Sequence, residues 1–371
     1  MTIAVLGAGM VGRAIAMDLV HDHSVTSFDL DATNLEKLKQ DDPRIQTVAA
    51  DLSHFDEYPN WLTTFDTVVT AVPGFMGYKT LEAVINSGKD VVDISFFPED
   101  ALQLDKLAKQ KNVTAITDCG VAPGMSNFII GRYNEEMKIT SVECYVGGLP
   151  ASPQAPFFYK APFSPVDVIQ EYLRPARLVE NGVVVTRPAL SEKEIIYFDE
   201  VGELEAFNTD GLRSLIFTMN HIPDMKEKTL RYPGHADLII AMKQAGFFDI
   251  APLRIEEKDI SPLDFTSKLL VNQWKLNEGE EEFTVMRVTA REKNKTIEYN
   301  LLDRYDKTTN TSSMARTTGY TCTAAVNLIA KKMFEEKGVF PPELVGKDKT
   351  CFEFVVDYLK SRNVVWKKSG S

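Results

Sequence analysis

Short apolar runs punctuate the first third of the chain: "IAVLG", "VTSFD", "IQTVAA", "TVVTAV", "VVDIS" and "TAIT", each four to six residues long. Between them, apolar positions recur at helical spacing. A run that is apolar throughout, rather than at every second position, is a strand covered on both faces. Strands alternating with helices from Ile3 to Thr117 predict a parallel, doubly wound α/β domain of Rossmann type over residues 1–122.

Past "DCGVAPG" at 118–124 the pattern changes. "VECYVGGLP", "FFYKAPF", "VVVTRPAL" and "IIYFDEVGELEAF" read as strands in succession, separated by Pro and Gly. The stretches "GLRSLIFTMNH", "GHADLIIAMKQAG" and "PLDFTSKLLVNQW" read as helices. Two long strands joined at Lys293, Asn294 and Lys295 close the region. This predicts a second, sheet-rich domain over 123–311, whose long hairpin is expected to be covered by a partner, because bare strand edges invite pairing. The helical segment 312–371 is expected to pack back on the first domain.

With 371 residues and 44% hydrophobic content, the chain is long enough for two cores. A net charge of -12 argues against nucleic acid and against an anionic membrane surface, since phosphate binding needs clustered Lys and Arg. No apolar run reaches about 18 residues, and the N-terminus lacks the marks of a signal peptide, so a cytoplasmic location is expected. Cys119, Cys144, Cys322 and Cys351 stand far apart, which suits reduced thiols better than disulfides or zinc. "HDH" at 21–23 reads as a polar loop at the amino edge of the sheet, and no metal is expected.

The first apolar run leads into Gly7-Ala8-Gly9-Met10-Val11-Gly12, a G-x-G-x-x-G turn. The turn follows a strand, opens a helix, and is followed by a second strand ending in Asp29, 29 - 7 = 22 residues after Gly7. In that context it is a dinucleotide-binding fingerprint. Gly7 makes the tight turn, Gly9 lets the backbone approach the pyrophosphate, and Gly12 allows helix and sheet to pack closely. The amides of Met10 and Val11 face the anion at the positive end of the helix dipole. Asp29 receives the ribose hydroxyls. Neither Leu30 nor Asp31 offers a cation for a 2'-phosphate, so the expected cofactor is NAD. Asp51 and Leu52 follow the third strand, and Ala71, Val72 and Pro73 follow the fourth, where they would border adenine, ribose and nicotinamide. Asp51 equally suits a helix N-cap.

Four ordered stretches resemble the saccharopine dehydrogenase-like family, and within it the lysine 6-dehydrogenase branch. They are "VVDISFFPEDALQLDKLAKQKNVTAITDCGVAPGMSN" (91–127), "GGLPASPQAPFFYKAPFSPVDVIQEY" (147–172), "AFNTDGLRSL" (206–215) with "TLRYPGH" (229–235), and "MARTTGY" (314–320) with "GVFPPE" (338–343). The resemblance implies pyridine-nucleotide chemistry at a carbon bearing nitrogen. In the lysine branch, NAD oxidises the ε-amine carbon of L-lysine, releasing ammonia and an aldehyde that cyclises. Relatives that make or cleave saccharopine commonly carry "SY" where this chain has Ser95-Phe96, and "SFFPED" is similar to the lysine branch. The family also implies that the second domain is an α/β domain with a mixed, largely antiparallel sheet that binds substrate and pairs protomers. It further implies a small-molecule amino-acid substrate and a homodimer or dimer of dimers.

An ε-ammonium has a reference pKa near about 10.4 and yields hydride only once it has lost a proton, so the site needs a base. Asp118 and Cys119 follow the sixth strand at the carboxyl edge; Asp118 suits a turn cap as well as a base, and Cys119 a small buried group as well as a substrate contact. Lys160 in "FYKAP", raised by the family motif, could serve as base or hold a carboxylate. His235 in "RYPGH" has a pKa suited to proton shuttling, or caps a helix start. Arg213, Arg231 and Arg316 each lie in a family-like stretch, and one of them is expected to grip the α-carboxylate. Two other readings are an opine-type reductase that joins an amine to an aldehyde or keto acid, and a non-catalytic NAD-binding sensor.

Overall fold

A computed structural model describes residues 1–277 and 279–370. Strands β1 (Thr2–Leu6), β2 (Ser24–Asp29), β3 (Gln46–Ala49), β4 (Thr67–Thr70), β5 (Asp90–Asp93) and β6 (Thr114–Ile116) alternate with helices. They are followed by β7 (Ser141–Pro150), β8 (Ala176–Glu180), β9 (Val183–Arg187), β10 (Glu194–Phe198), β11 (Gly202–Asn208) and β12 (Asp224–Arg231). Then come β13 (Leu253–Ile255), β14 (Lys258–Ile260), β15 (Glu282–Glu292), β16 (Lys295–Arg304), β17 (Gly338–Phe340) and β18 (Trp366–Gly370).

The first sheet has the order β17-β6-β5-β4-β1-β2-β3, with every neighbouring pair parallel. Ile3 to Leu6 of β1 and Val91 and Val92 of β5 are fully enclosed, which is why these runs carry no polar alternation. The strand order reverses beside β1, between β4 and β2, and a parallel sheet opens its ligand crevice at the carboxyl ends beside such a switch.

The second sheet has the order β10-β11-β12-β7-β15-β16-β18, with β8 pairing both β12 and β9. It is mixed: β12 runs parallel to β7, and the other pairs are antiparallel. The segment "FFYKAPF", expected as a strand, is a loop, because Pro156 precedes it and Pro162 lies within it, and neither can donate to a ladder. "GLRSLIFTMNH" carries only the short helix Leu215–Thr218.

The C-terminal segment joins both sheets. Helix Ser313–Ala330 lies against helix Met10–Leu19 so closely that a Cβ on Gly319 would sit 3.3 Å from Ile15 Cγ1. Asp18 anchors it, accepting from Thr323 Oγ1 at 2.5 Å, Tyr358 Oη at 2.7 Å and Arg362 Nε at 2.6 Å. β17 extends the first sheet beside β6, while β18 crosses to pair with β16 in the second. Among the described residues no helix is long and apolar enough to cross a membrane, and the four cysteines are buried and unpaired.

Candidate active site

The carboxyl ends of the first sheet face β7 and β12 across a cleft of about 810 Å³. All the residues named above for the nucleotide, from Gly7 to Pro73, line it. The three turn glycines have separate tasks. A Cβ on Gly7, where φ is 109°, would sit 2.3 Å from the Ala71 carbonyl oxygen, and one on Gly12 would sit 2.0 Å from the Gly7 carbonyl oxygen. A Cβ on Gly9 would meet nothing within 4 Å. Gly7 and Gly12 therefore serve packing, whereas Gly9 keeps a bare backbone on the cleft. Helix Met10–Leu19 starts at Gly9 without a side-chain cap, so its first amides remain available to an anion.

Asp29 closes this end. Its Oδ2 accepts from Ala8 N at 2.6 Å and its Oδ1 from Asp31 N at 2.8 Å, and each oxygen keeps a further lone pair. Asp51 accepts from the Ser53 amide at 2.9 Å and hydroxyl at 2.7 Å, and the hydroxyl bond above all lowers its pKa. The bare Gly9, the uncapped helix start and the placed carboxylate fit a dinucleotide. Gly9, Met10 and Val11 would hold its pyrophosphate, on a turn closed by Gly7 and Gly12, and Asp29 its ribose.

The opposite end is built by two elements. In helix Pro165–Leu173, Asp167 and Glu171 stand four positions apart and both reach the cleft. In β12, Glu227, Thr229 and Arg231 alternate with residues of the other face and also reach it. Asp167 Oδ1 accepts from Gly74 N at 3.3 Å, joining the second domain to the first, and burial raises its pKa. Burial, reinforced by nearby Glu171, pushes Glu227 well above the carboxylate range.

Arg231 is held from behind. Its Nε donates to Tyr172 Oη at 2.8 Å, and its guanidinium lies 4.4 Å from the Tyr159 ring centroid. Tyr172 Oη in turn lies 3.0 Å from His235 Nε2, and His235 Nδ1 is 2.8 Å from the Phe157 carbonyl. The arrangement is satisfied when Nδ1 carries the hydrogen and Nε2 accepts from the tyrosine. Burial, with Arg231 nearby, lowers the His235 pKa to about 3 and keeps the ring neutral.

The structure separates most of the catalytic and substrate residues expected from the sequence. Arg231 reaches the cleft. Asp118 also lines it, but its carboxylate is taken by Arg213 Nη2 at 2.8 Å. Arg213 is therefore not free to grip a substrate, and its Nη1 is bound to the Phe97 carbonyl. His235 stands behind Arg231, enclosed by Tyr159, Tyr172 and Trp274, and does not line the cleft. Lys160 lies off the cleft wall, its Nζ donating to the Lys275 carbonyl at 3.3 Å. Cys119 is buried with Sγ 3.8 Å from the Thr321 carbonyl, and burial pushes its thiol up. Arg316 is spent on Asp303 at 3.3 Å and Asp306 at 2.8 Å. Sequence reading passed over Asp167, Glu171, Glu227 and Thr229, although the fourfold spacing in "DVIQE" and the alternation in "EKTLR" were both visible.

Comparison with known proteins shows the family. Residues 3–116 match the saccharopine dehydrogenase NADP binding domain, and residues 120–364 match the saccharopine dehydrogenase C-terminal domain. The chain belongs to the saccharopine dehydrogenase family. Among similar members, the mitochondrial alpha-aminoadipic semialdehyde synthase of Bos taurus is 23% identical over 286 residues, 72% of this chain and 30% of that protein. The saccharopine dehydrogenase [NADP(+), L-glutamate-forming] of Pyricularia oryzae is 24% identical over 261 residues, 66% of this chain and 58% of that protein. The matched region thus spans from about a third to somewhat over half the length of these family relatives. The apo saccharopine dehydrogenase (L-Glu forming) of Saccharomyces cerevisiae superposes with a TM-score of 0.79 at 17% identity, covering 100% of this chain and 99% of that one, which shows the shared fold.

Proposed function

We propose that this member of the saccharopine dehydrogenase family is an NAD-dependent dehydrogenase of the terminal amine of an L-amino acid. The substrate is L-lysine, and the products are allysine, which cyclises to piperideine-6-carboxylate, and ammonia. The charge set at the reaction end carries this reading: Asp167, Glu171 and Glu227 face Arg231 and Lys275. Saccharopine bears three carboxylates and two amines and would need several cationic forks. Lysine bears one carboxylate and two amines, which suits a single arginine opposite several carboxyl groups. Phe96, in contact with Arg174 at 4.9 Å and Arg213 at 5.0 Å, puts no hydroxyl into the cleft.

The preference for NAD rests on the nucleotide end, where the cleft offers Asp29 and Asp51. The cations of its lining, Arg231 and Lys275, belong to the substrate end, so a 2'-phosphate would meet carboxylates without a counter-charge. This departs from the NADP in the description of the matched family domain.

A bound nicotinamide supplies the hydride acceptor. The chain's own part is to fix the carboxylate on Arg231, to exclude water with Val146, Phe163, Leu276 and Met314, and to accept a proton from the amine. Appearance of NADH with a panel of amines tests the reading. Turnover of lysine alone supports it; turnover only of saccharopine-like conjugates would replace it with an opine-type reductase, and no turnover with a nucleotide-binding sensor.

A further inference from the structure

Glu227, Thr229 and Glu171 line the second-domain wall of the cleft, and buried Thr209 joins Glu227 to Thr229 in a continuous row of oxygens. Thr209 Oγ1 lies 3.2 Å from Glu227 Oε2 and 2.8 Å from Thr229 Oγ1, and Thr229 Oγ1 lies 2.6 Å from Glu171 Oε1. Three contacts need three hydrogens, yet the two hydroxyls supply only two. Were both carboxyl groups ionised, one of the three would set lone pair against lone pair.

Thr209, Thr229 and Glu227 are buried, which makes such a mismatch expensive, while Glu171 is the partly open end of the row. One added proton on Glu227 satisfies every contact: Glu227 donates to Thr209, Thr209 to Thr229, and Thr229 to the Glu171 carboxylate. Burial favours the neutral form at the Glu227 end. At the other end, Glu171 Oε2 is 3.8 Å from Arg231 Nη2, so the open end of the row has a cationic neighbour. The row is tightly built, since a Cβ on Gly211 would sit 1.8 Å from Glu227 Oε2.

We propose that Glu171 and Glu227 hold a single proton between them through Thr209 and Thr229, and that Glu171 is the catalytic base for the substrate amine. The role of Glu171 rests on the amine-dehydrogenase reading above. Its carboxylate takes one proton from the ammonium, leaving a neutral amine and a neutral carboxyl group. The adjacent carbon then gives a hydride to the oxidised nicotinamide, leaving an iminium. Water adds to that carbon and the C–N bond breaks, so lysine, NAD and water become aldehyde, NADH, ammonium and one released proton.

Two measurements decide the matter. Glu171→Gln is expected to lower kcat at neutral pH by about a hundredfold or more while raising KM far less. Its deficit should shrink as pH approaches the amine's own pKa, about 10.4, where substrate arrives already deprotonated. A deficit that stays constant with pH, or a variant with full kcat, overturns the catalytic assignment. The shared proton is read without turnover, by infrared difference spectroscopy of the apoprotein. A neutral carboxyl band near neutral pH, absent in Glu227→Gln and displaced in the near-isosteric Thr209→Val, supports it; no such band overturns it. Should the wild-type protein oxidise no amine at all, the role of Glu171 falls with the functional reading, while the band still decides the shared proton.

Discussion

Asp118 and Arg213 satisfy each other beside the cleft, carboxylate to guanidinium at 2.8 Å, and both stand in left-handed backbone conformations with φ of 53° and 52°. The side chains are 5% and 3% exposed, so the pair is desolvated, and breaking it would strand a buried charge. Arg213→Met is expected to cost about 3 to 5 kcal/mol, seen as an earlier melting transition. Arg213→Met combined with Asp118→Asn should recover part of that loss, because the stranded carboxylate is gone. An unchanged melting point in the single variant would refute a structural role for the pair.

The glycine turn separates packing from ligand contact. Gly12→Ala drives a Cβ into the Gly7 carbonyl and is expected to lower both stability and nucleotide affinity. Gly9→Ala meets no protein atom and should melt like the wild type while losing nucleotide affinity, as the added methyl occupies the pyrophosphate approach. Melting curves with and without nucleotide distinguish the two. Equal ligand-induced shifts in Gly9→Ala and wild type would rule out phosphate at this turn.

Asp29 is expected to set the choice of cofactor. Losing a charged hydrogen bond costs about 1.5 to 3 kcal/mol, so kcat/KM with NAD should exceed that with NADP by about tenfold to a hundredfold. Asp29→Ser should narrow the ratio. It should also loosen the turn, because the same carboxylate ties Ala8 and Asp31. Equal kcat/KM for both cofactors in the wild type would refute the assignment.

His235 makes stability depend on pH in a stated direction. Its pKa is about 3 in the folded chain and near 6.5 when unfolded, so the unfolded chain binds the extra proton. The stabilisation is complete above about 6.5 and is lost as pH falls toward about 3, at up to about 1.4 kcal/mol per pH unit. Wild type should therefore lose melting temperature over this interval more steeply than His235→Gln. The same variant should raise KM for lysine more than it lowers kcat, because Tyr172 and hence Arg231 lose their support. Parallel pH curves would dismiss the buried neutral imidazole.

The glycine-turn end of the cleft was legible in the sequence because it is built locally: strand, glycine turn, helix start and Asp29 follow one another within a single unit. The substrate end was not. Glu171 meets Thr229 across 58 positions, and Thr209 meets Glu227 only because β11 pairs antiparallel with β12. Lys160 and His235 carry suitable side chains, but the fold sets Lys160 off the cleft wall and encloses His235 among aromatic rings. "TLRYPGH" does not reveal that its histidine faces Tyr172 while its arginine faces the cleft.

By itself, the order of apolar runs determined a doubly wound parallel sheet followed by a sheet-rich second region, since burial on one or two faces is written directly as a hydrophobic period. The same sequence determined a tight strand-to-helix turn, because only glycine tolerates the close approaches at Gly7 and Gly12. Only the tertiary structure decided which titratable groups face the cleft and which neutralise one another. Charges separated by a hundred residues pair or part according to how the two sheets pack, and no local pattern records that distance.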